Sequence, residues 1–545
     1  MDGRGGTPKG HCEPPSSLLK MVAEEMNLCP AGETSLEKDS MFKKFGECFG
    51  LASLILVMSY GDLLGGGWDV RMHVPYALNR IVWAQLTDIA LLGLALFAIL
   101  GPLSRTRLHP WVQLLLSLFA PPSLVWLMRA EIPFPLTSGI LLMMAGLWTS
   151  LVLLLLLLFQ PWYQRLMRLG EMVGIFAAVF CLCSMTQLLW VLHWTPGAQQ
   201  HSVAWAATPQ PPRRHARVVW VILDELSYEQ VYGQRADDLQ LPNFDALRKQ
   251  STVYTDVQPI GEKTVRIIPS LFWGHVITKF RYTFDNRFLV HGRDTVGYTD
   301  LADADTVFTD AQRVGWRTAV VGWYNPYCSY LGDAVDDCYW MNLDWLDGPQ
   351  AQDASYWSNV WSPLKRVAEQ IGDPSQAGQE MCDYSIRQRE KTLADLQTRA
   401  EAVLKTDQAD LIFLHLPVPH SPNIWDRMRG GFTRRCGSSY LDNLALADAE
   451  MGRILAILES SPRWKDTTLI VQGDHSWRTY LWQGRRAWTA EDAQASRSGF
   501  DPRPAVIIHH PGQTTGDLVQ TPWSVINVHS VVEAALRAGK GATGS

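Results

Sequence analysis

Three pairs of polar residues occupy positions where chemistry could be done: Asp224 with Glu225, His415 with His420, and Asp474 with His475. Carboxylates and imidazoles are ligands for divalent cations; they suit Zn2+, and Mn2+ where oxygen donors dominate. Each pair lies in or just beyond a short apolar run. VVWVIL precedes Asp224, LIFLHL contains His415, and TTLIVQ leads into Asp474. A lone acidic residue at a strand end is usually a turn or a cap. Three such pairs on three buried strands carry more weight, because open α/β sheets bind ligands beyond the carboxyl ends of their strands. The set predicts a metal centre in one crevice.

The elements that must hold these residues follow from the same stretch of chain. Two more apolar runs, TAVVGW (318–323) and PAVIIHH (504–510), join the three above. Between them lie helical patterns such as ADLQTRAEAVL and YLDNLALADAEMGRILAILES. This alternation predicts an α/β domain with a mostly parallel central sheet and helices on both faces. It is expected to span residues 215–540, behind a Pro-, Ala- and Gln-rich linker at 195–214.

The preceding part is of a different kind. After a polar segment (1–45), residues 46–194 are dominated by charge-free stretches. Ile81 to Ser104 holds only Asp88, Leu108 to Met128 has no charge, Ala130 to Phe159 holds only Glu131, and Met172 to Trp194 has none. Each exceeds the roughly 20 residues that cross a hydrocarbon core. Adding the shorter Cys48 to Gly61 predicts an α-helical transmembrane bundle of about five spans. With the N-terminus inside, Lys43, Lys44, Arg105, Arg107, Arg165 and Arg168 flank the inner ends, against Arg71, Arg80 and Arg129 outside. That excess fits the positive-inside rule and puts the later domain on the outer face. Trp68, Trp83, Trp111, Trp126, Trp162 and Trp194 fall near span ends, where indoles favour the interface. Residues 1–45 lack the pattern of a cleaved signal peptide, so the first span is expected to be an uncleaved anchor. Asp62 and Asp88 are carboxylates within or beside spans, where function is the default reading, but both lie close enough to a span end to be hydrated, which favours an ordinary solvated role.

Composition sets limits on the whole. Among 545 residues, 10% aromatic and 19% charged side chains exclude disorder as the main state. A net charge of -6 excludes a dedicated nucleic-acid binder, which needs a basic surface. The mean hydropathy of -0.04 averages two unlike halves.

Two further motifs carry a resemblance. LPNFDALRKQSTVYTDV, followed by GEKTVRIIPSLFWG, together with VILDE, LHLPVPHSP and VQGDHS, resembles the sulfatase and alkaline phosphatase superfamily. The resemblance runs from about Val218 to Lys540, and its motifs are short but specific in order and spacing. Spans before such a domain resemble the architecture of bacterial phosphoethanolamine transferases and lipoteichoic acid synthases. The resemblance implies Thr264 as nucleophile, in T-x4-P-S-L-F. It implies Glu225, Asp474 and His475 as metal ligands, with the Thr264 oxygen as a fourth. Asp224 matches the first of the paired acids in sulfatases, so Asp224 and Glu225 are alternatives. His415 and His420 match histidines that bind the substrate phosphate. Two departures stand out. The C/S-x-P-x-R motif that sulfatases need for formylglycine is missing, and Arg478, Arg485 and Arg486 occupy the stretch where the transferases place another His.

The chemistry expected of these residues is phosphoryl transfer. A threonine hydroxyl attacks poorly unless its alkoxide is stabilised, which a divalent ion does while polarising the phosphoryl oxygen. Lys263 and Arg266, beside Thr264, are expected either to neutralise charge on the transferring phosphate or to be a solvated pair in a loop. The expected activity moves a phospho-headgroup from a membrane phospholipid donor, through a phosphothreonine, to an envelope glycan or lipid acceptor. The expected location is the bacterial inner membrane, multi-pass, with the catalytic domain outside. The alternatives are a phosphodiesterase or atypical sulfatase with water as acceptor, and a non-catalytic scaffold or sensor. Four cysteines in the later domain suggest disulfides in an oxidising compartment: Cys328–Cys338 across a short loop, leaving Cys382–Cys436.

Overall fold

The computed structural model describes residues 33–64, 78–103, 138–158, 160–193, 216–283, 287–342, 355–372, 374–406 and 408–541. The linker at 195–214, the stretch Leu108 to Met128, Glu131 and most of the polar N-terminal segment lie outside the described residues. So do Trp68, Trp111, Trp126 and Trp194, and the side chains of Asp62 and Trp162.

The N-terminal part is helical, with α1 (Glu33–Leu64), α2 (Asn79–Leu103), α3 (Ser138–Leu158) and α4 (Gln160–Val191). Among the described residues, two segments are long and apolar enough to cross a membrane, Asn79–Pro102 and Met172–Val191. The expectation of five spans is thus reduced to two here. In α1, the charges up to Glu47 leave only the stretch from Cys48 onward apolar, too short for a full crossing. The described apolar part of α3 covers only Met143–Val152. Trp83 is exposed near the start of α2, as an interfacial indole would be, whereas Asp88 in the same helix is buried.

The later domain is built on an eight-stranded sheet. Its strands are β1 (Arg217–Leu223), β2 (Thr252–Tyr254), β3 (Thr318–Trp323), β4 (Asp337–Met341), β5 (Leu411–Leu416), β6 (Thr467–Gln472), β7 (Val506–His509) and β8 (Asp517–Val519). They lie in the order β8-β2-β7-β6-β1-β5-β3-β4. The four central strands β6, β1, β5 and β3 are parallel, and β7 runs antiparallel to both its neighbours. All five expected strands are present and the sheet is mostly parallel. The three unforeseen strands, β2, β4 and β8, are short or sit at the edge, where few residues are buried on both faces and the apolar signal fades.

Strand β1 shows how the sheet divides the core. Val218, Trp220 and Ile222 face one layer, packed with α5 (Thr264–Trp273) through Ile267, Ile268, Leu271 and Phe272. Val219, Val221 and Leu223 face the other, with α7 (Pro374–Thr406) and α8 (Tyr440–Ser460); α6 (Tyr327–Leu331) belongs to the first layer. Trp220 meets Phe272 and Phe413 edge-on, with ring centroids 5.8 and 5.3 Å away. Truncating Phe272 to Ala would cost about 3–5 kcal/mol through the cavity left in this cluster. α8 begins at Tyr440, capped by Ser439, and its span agrees with the sequence pattern.

Both expected disulfides, Cys328–Cys338 and Cys382–Cys436, are formed. The first ties α6 to β4, and the second ties α7 to the loop before α8.

Candidate active site

Register brings the ligand-type residues together. Ile222 of β1 pairs with His415 of β5 on one side and with Gln472 of β6 on the other. Asp224 and Asp474 each lie two residues past that level, so they leave their strands side by side. Glu225 follows at φ 66, a left-handed conformation that costs an ordinary residue about 1–2 kcal/mol. The turn is held by Tyr440, whose hydroxyl donates to the Glu225 carbonyl at 2.6 Å and accepts from the Ser227 amide at 3.2 Å. Its consequence is a divergence: Asp224 and Glu225 point to different partners.

Asp224, Asp474 and His475 are buried, and each offers a ligand atom within 4.8 Å of the others. Thr264, the first residue of α5, enters the same cluster. Its Oγ1 lies 2.6 Å from Asp474 Oδ2, 3.3 Å from His475 Nε2 and 3.4 Å from Asp224 Oδ2. The preceding motif is fixed by Asp448 of α8, which accepts from the Asn243 and Phe244 amides at the start of the helix Pro242–Arg248.

These residues fit a bound cation. His475 Nδ1 lies 3.0 Å from the Ser476 carbonyl and so carries the proton. The Nε2 lone pair then faces Asp474 Oδ2 at 3.1 Å, an arrangement that is repulsive unless a positive charge intervenes. Asp224 Oδ1 is buried without a hydrogen-bond partner. Burial alone would raise the Asp224 carboxyl, but the facing His420, His415 and His475 outweigh it and hold it below the usual range. Two buried carboxylates, one imidazole and a hydroxyl are a hard, oxygen-rich donor set.

Glu225 belongs to no such group among the described residues. Its carboxylate accepts from Arg478 Nε at 3.0 Å and from Trp482 Nε1 at 3.1 Å. Of the two alternatives, Asp224 stands in the cluster and Glu225 stands outside it. Sequence could not separate them, since the backbone twist at Glu225 decides which side chain turns inward.

His415 is fully buried, with Nε2 3.2 Å from Asp224 Oδ2 and Nδ1 2.6 Å from the Tyr327 hydroxyl. His420 lies on the loop after β5, with Nδ1 at the Ser421 carbonyl and Nε2 3.3 Å from an Arg478 nitrogen. Trp323 and Trp482 flank its ring, and burial pushes its imidazole pKa down, against the opposing pull of Glu225 and Asp224. The loop itself is gripped from behind. Arg389 of α7 donates to the carbonyls of Pro417, His420 and Ser421, and its guanidinium stacks on Trp323 at 4.4 Å. Asn443 of α8 donates to the carbonyls of Pro419, His420 and Pro422 at 3.3 Å each. Lys263 and Arg266 do not enter the cluster: Lys263 is exposed, and Arg266 reaches the Thr278 carbonyl at 3.3 Å.

Sequence reasoning missed Tyr327, Arg389, Tyr440 and Asn443. None lies near the motifs in sequence, and each acts through a contact made only in the folded chain. Arg478 had a signal, its place just after Asp474-His475, but its partner Glu225 could not be read from spacing.

No curated protein matches this chain. Among solved structures, the sulfatase PsFucS1 from a Pseudoalteromonas species is similar at 13% identity and TM-score 0.39, over 60% of this chain and 68% of that one. The phosphonate monoester hydrolase of Agrobacterium radiobacter is similar at 13% identity and TM-score 0.38, over 59% and 74%. The lipoteichoic acid synthase LtaP from Listeria monocytogenes is similar at 13% identity and TM-score 0.35, over 59% and 72%. The profile of one family, Sulfatase, matches residues 216–498, more than half of the chain and the whole of the cluster just described. With Thr264 at the head of α5, paired acids after the first strand and an Asp-His pair after β6 all inside that match, the chain belongs to the Sulfatase family.

Proposed function

We propose that this protein is a membrane-anchored, metal-dependent phosphotransferase that moves a phospho-headgroup from a lipid donor to an envelope acceptor. The observation that carries the reading is Thr264 Oγ1, 2.6 Å from Asp474 Oδ2 and in reach of Asp224 and His475, at the head of a buried helix. Asp224, Asp474, His475 and the Thr264 oxygen would hold a divalent ion such as Zn2+ or Mn2+. When bound, it supplies Lewis-acid stabilisation of the threonine alkoxide and of the phosphoryl oxygens.

The chain's own residues account for the proton steps. Thr264 passes its proton to Asp474 as Oγ1 bonds to phosphorus. The bond from phosphorus to the glycerol oxygen breaks, and diacylglycerol leaves with a proton from His420. In the second half, the acceptor hydroxyl gives its proton to His420 and attacks the phosphothreonine, the bond from phosphorus to Oγ1 breaks, and Thr264 regains its proton from Asp474. Burial favours the neutral His420 that the acceptor step needs, while the opposing pull of Glu225 and Asp224 favours the charged form that the leaving group needs. His415 holds Asp224 in place rather than meeting substrate.

The segments Asn79–Pro102 and Met172–Val191 support membrane anchoring beside a lipid donor. The multi-pass arrangement, with a third apolar stretch from Leu108 to Met128, and the outer location of the catalytic domain belong to this reading. The two disulfides support an oxidising compartment. Family membership favours a second reading, hydrolysis with water as acceptor.

Mass spectrometry of the intact protein incubated with phospholipids tests the proposal. A headgroup-phosphate adduct on Thr264, lost in Thr264→Ala and kept at a reduced level in Thr264→Ser, is expected. Absence of the adduct with undiminished turnover in Thr264→Ala would sink the mechanism. Release of free headgroup, rather than its appearance on an added acceptor, would select the hydrolase.

A further inference from the structure

Next to Thr264 in the chain, Lys263 opens onto a cleft of about 430 Å³ lined also by Arg266, Thr278, Lys279, Phe280 and Tyr298. Thr278, Lys279 and Phe280 come from the first strand of a small antiparallel sheet, Ile277–Tyr282, Phe288–Gly292 and Thr299–Asp300, and Tyr298 just precedes the third. Arg281, on the first of these strands, stacks its guanidinium over the Tyr298 ring at 4.7 Å. Three cations therefore line one opening, a fourth stacks on its Tyr298 wall, and no carboxylate lines it.

The nearby acids are engaged elsewhere. Asp294 pairs with His275, Asp300 and Asp303 pair with Arg287, and Glu262 accepts from the Tyr480 hydroxyl. Among the described residues, none of Lys263, Arg266, Lys279 and Arg281 has an ion-pair partner. Like charges so placed raise the local potential, and an anion in the cleft relieves their repulsion. The apolar edges of Phe280 and Tyr298 leave room for the uncharged body that carries the anion.

We infer that this cleft is a second anion subsite, taking a phosphate or sulfate ester of the substrate other than the one that reacts at Thr264. The inference deepens the proposed function and rests on it for the direction of the substrate, since Lys263 adjoins the nucleophile in the chain. Lys279, Arg281 and Tyr298 become specificity-determining residues, none of which touches the reacting atoms.

Binding without turnover tests the subsite separately from the chemistry. The full-length protein in phosphatidylcholine nanodiscs is titrated with sucrose octasulfate, a compact soluble polyanion. Binding that weakens with salt is expected, reduced about tenfold by Lys279→Glu and less by the milder Lys279→Gln. Exposed Lys279 can be changed without disturbing the core, so both variants should fold. Two arms name the source of the anion. Competition when phosphatidylglycerol replaces phosphatidylcholine assigns it to a lipid headgroup, and displacement by a soluble sugar phosphate assigns it to a glycan. Binding indifferent to both Lys279 variants, or displaced in neither arm, overturns the subsite. Loss of the Thr264 adduct with binding intact would overturn only the transfer mechanism.

Discussion

The Tyr327 hydroxyl lies 2.6 Å from His415 Nδ1, and the opposite ring nitrogen of His415 lies 3.2 Å from Asp224 Oδ2. Because a carboxylate only accepts, a neutral His415 carries its proton on Nε2, and Tyr327 donates to Nδ1. One phenol on α6 thus fixes the tautomer that steadies an acid in the cluster. Its neighbour Cys328 is joined to Cys338 on β4, so a covalent tie holds the helix that holds the histidine.

Tyr327→Phe keeps the ring in its aromatic cluster and removes only the donor. Activity is expected to fall about tenfold, an effect of the size of one lost hydrogen bond to a buried polar group. The thermal unfolding midpoint should fall by only a few degrees, the cost of leaving His415 Nδ1 unpaired. A variant with full activity would show that His415 is held by packing alone.

Glu225→Gln and Asp224→Asn separate the adjacent acids. Metal content is expected to survive the first and to drop sharply in the second, because Asp224 belongs to the cluster and Glu225 faces Arg478. Metal loss in Glu225→Gln, measured on purified protein, would reverse the assignment.

Arg478→Met should destabilise by about 3–5 kcal/mol, since the Glu225 side chain it neutralises is fully buried. Combining it with Glu225→Gln should cost less than the two single changes added together. Denaturant unfolding of the four proteins measures this coupling, and strict additivity would mean that the pair contributes nothing of its own.

Arg389→Lys retains charge but loses the planar fork that serves three carbonyls of the His420 loop. A loss of about 2–4 kcal/mol is expected from the carbonyls left unpaired. Turnover should fall more than stability at 25 °C would explain, because His420 loses its position. Unchanged turnover in a folded variant would assign Arg389 a structural role only.

Arg427 pairs with Asp238, Asp442 and Glu491, and its hydrogen bond holds the Glu491 carboxyl below the usual range. A depressed carboxyl stabilises the fold above its ordinary pKa, and that stability is lost as pH falls through the folded value. Arg427→Met should therefore cost about 1–2 kcal/mol at neutral pH, discounted for the partial exposure of Glu491. The deficit should shrink as pH drops below about 4. A deficit independent of pH, read from urea unfolding at several pH values, would point to packing instead.

The central strands and the metal-type residues were legible in the sequence because β1, β5 and β6 are buried on both faces. Continuous apolar runs such as VVWVIL must then end where polar side chains meet the crevice, and the register carries Asp224 and Asp474 to one level, two residues past that of His415. Four cysteines allow three pairings, and the short loop between Cys328 and Cys338 favoured the one that the structure forms. The apolar character of the N-terminal helices was also written in composition, although only two of the expected five spans stand among the described residues. What the tertiary structure alone decided is direction. A left-handed turn at Glu225 sends Asp224 into the cluster and Glu225 to Arg478, residues 253 apart in the chain. Tyr327 reaches His415 across 88 residues, and Arg389 and Asn443 reach the His420 loop across 31 and 23. Such contacts depend on backbone angles and on packing between distant elements, which local patterning does not encode.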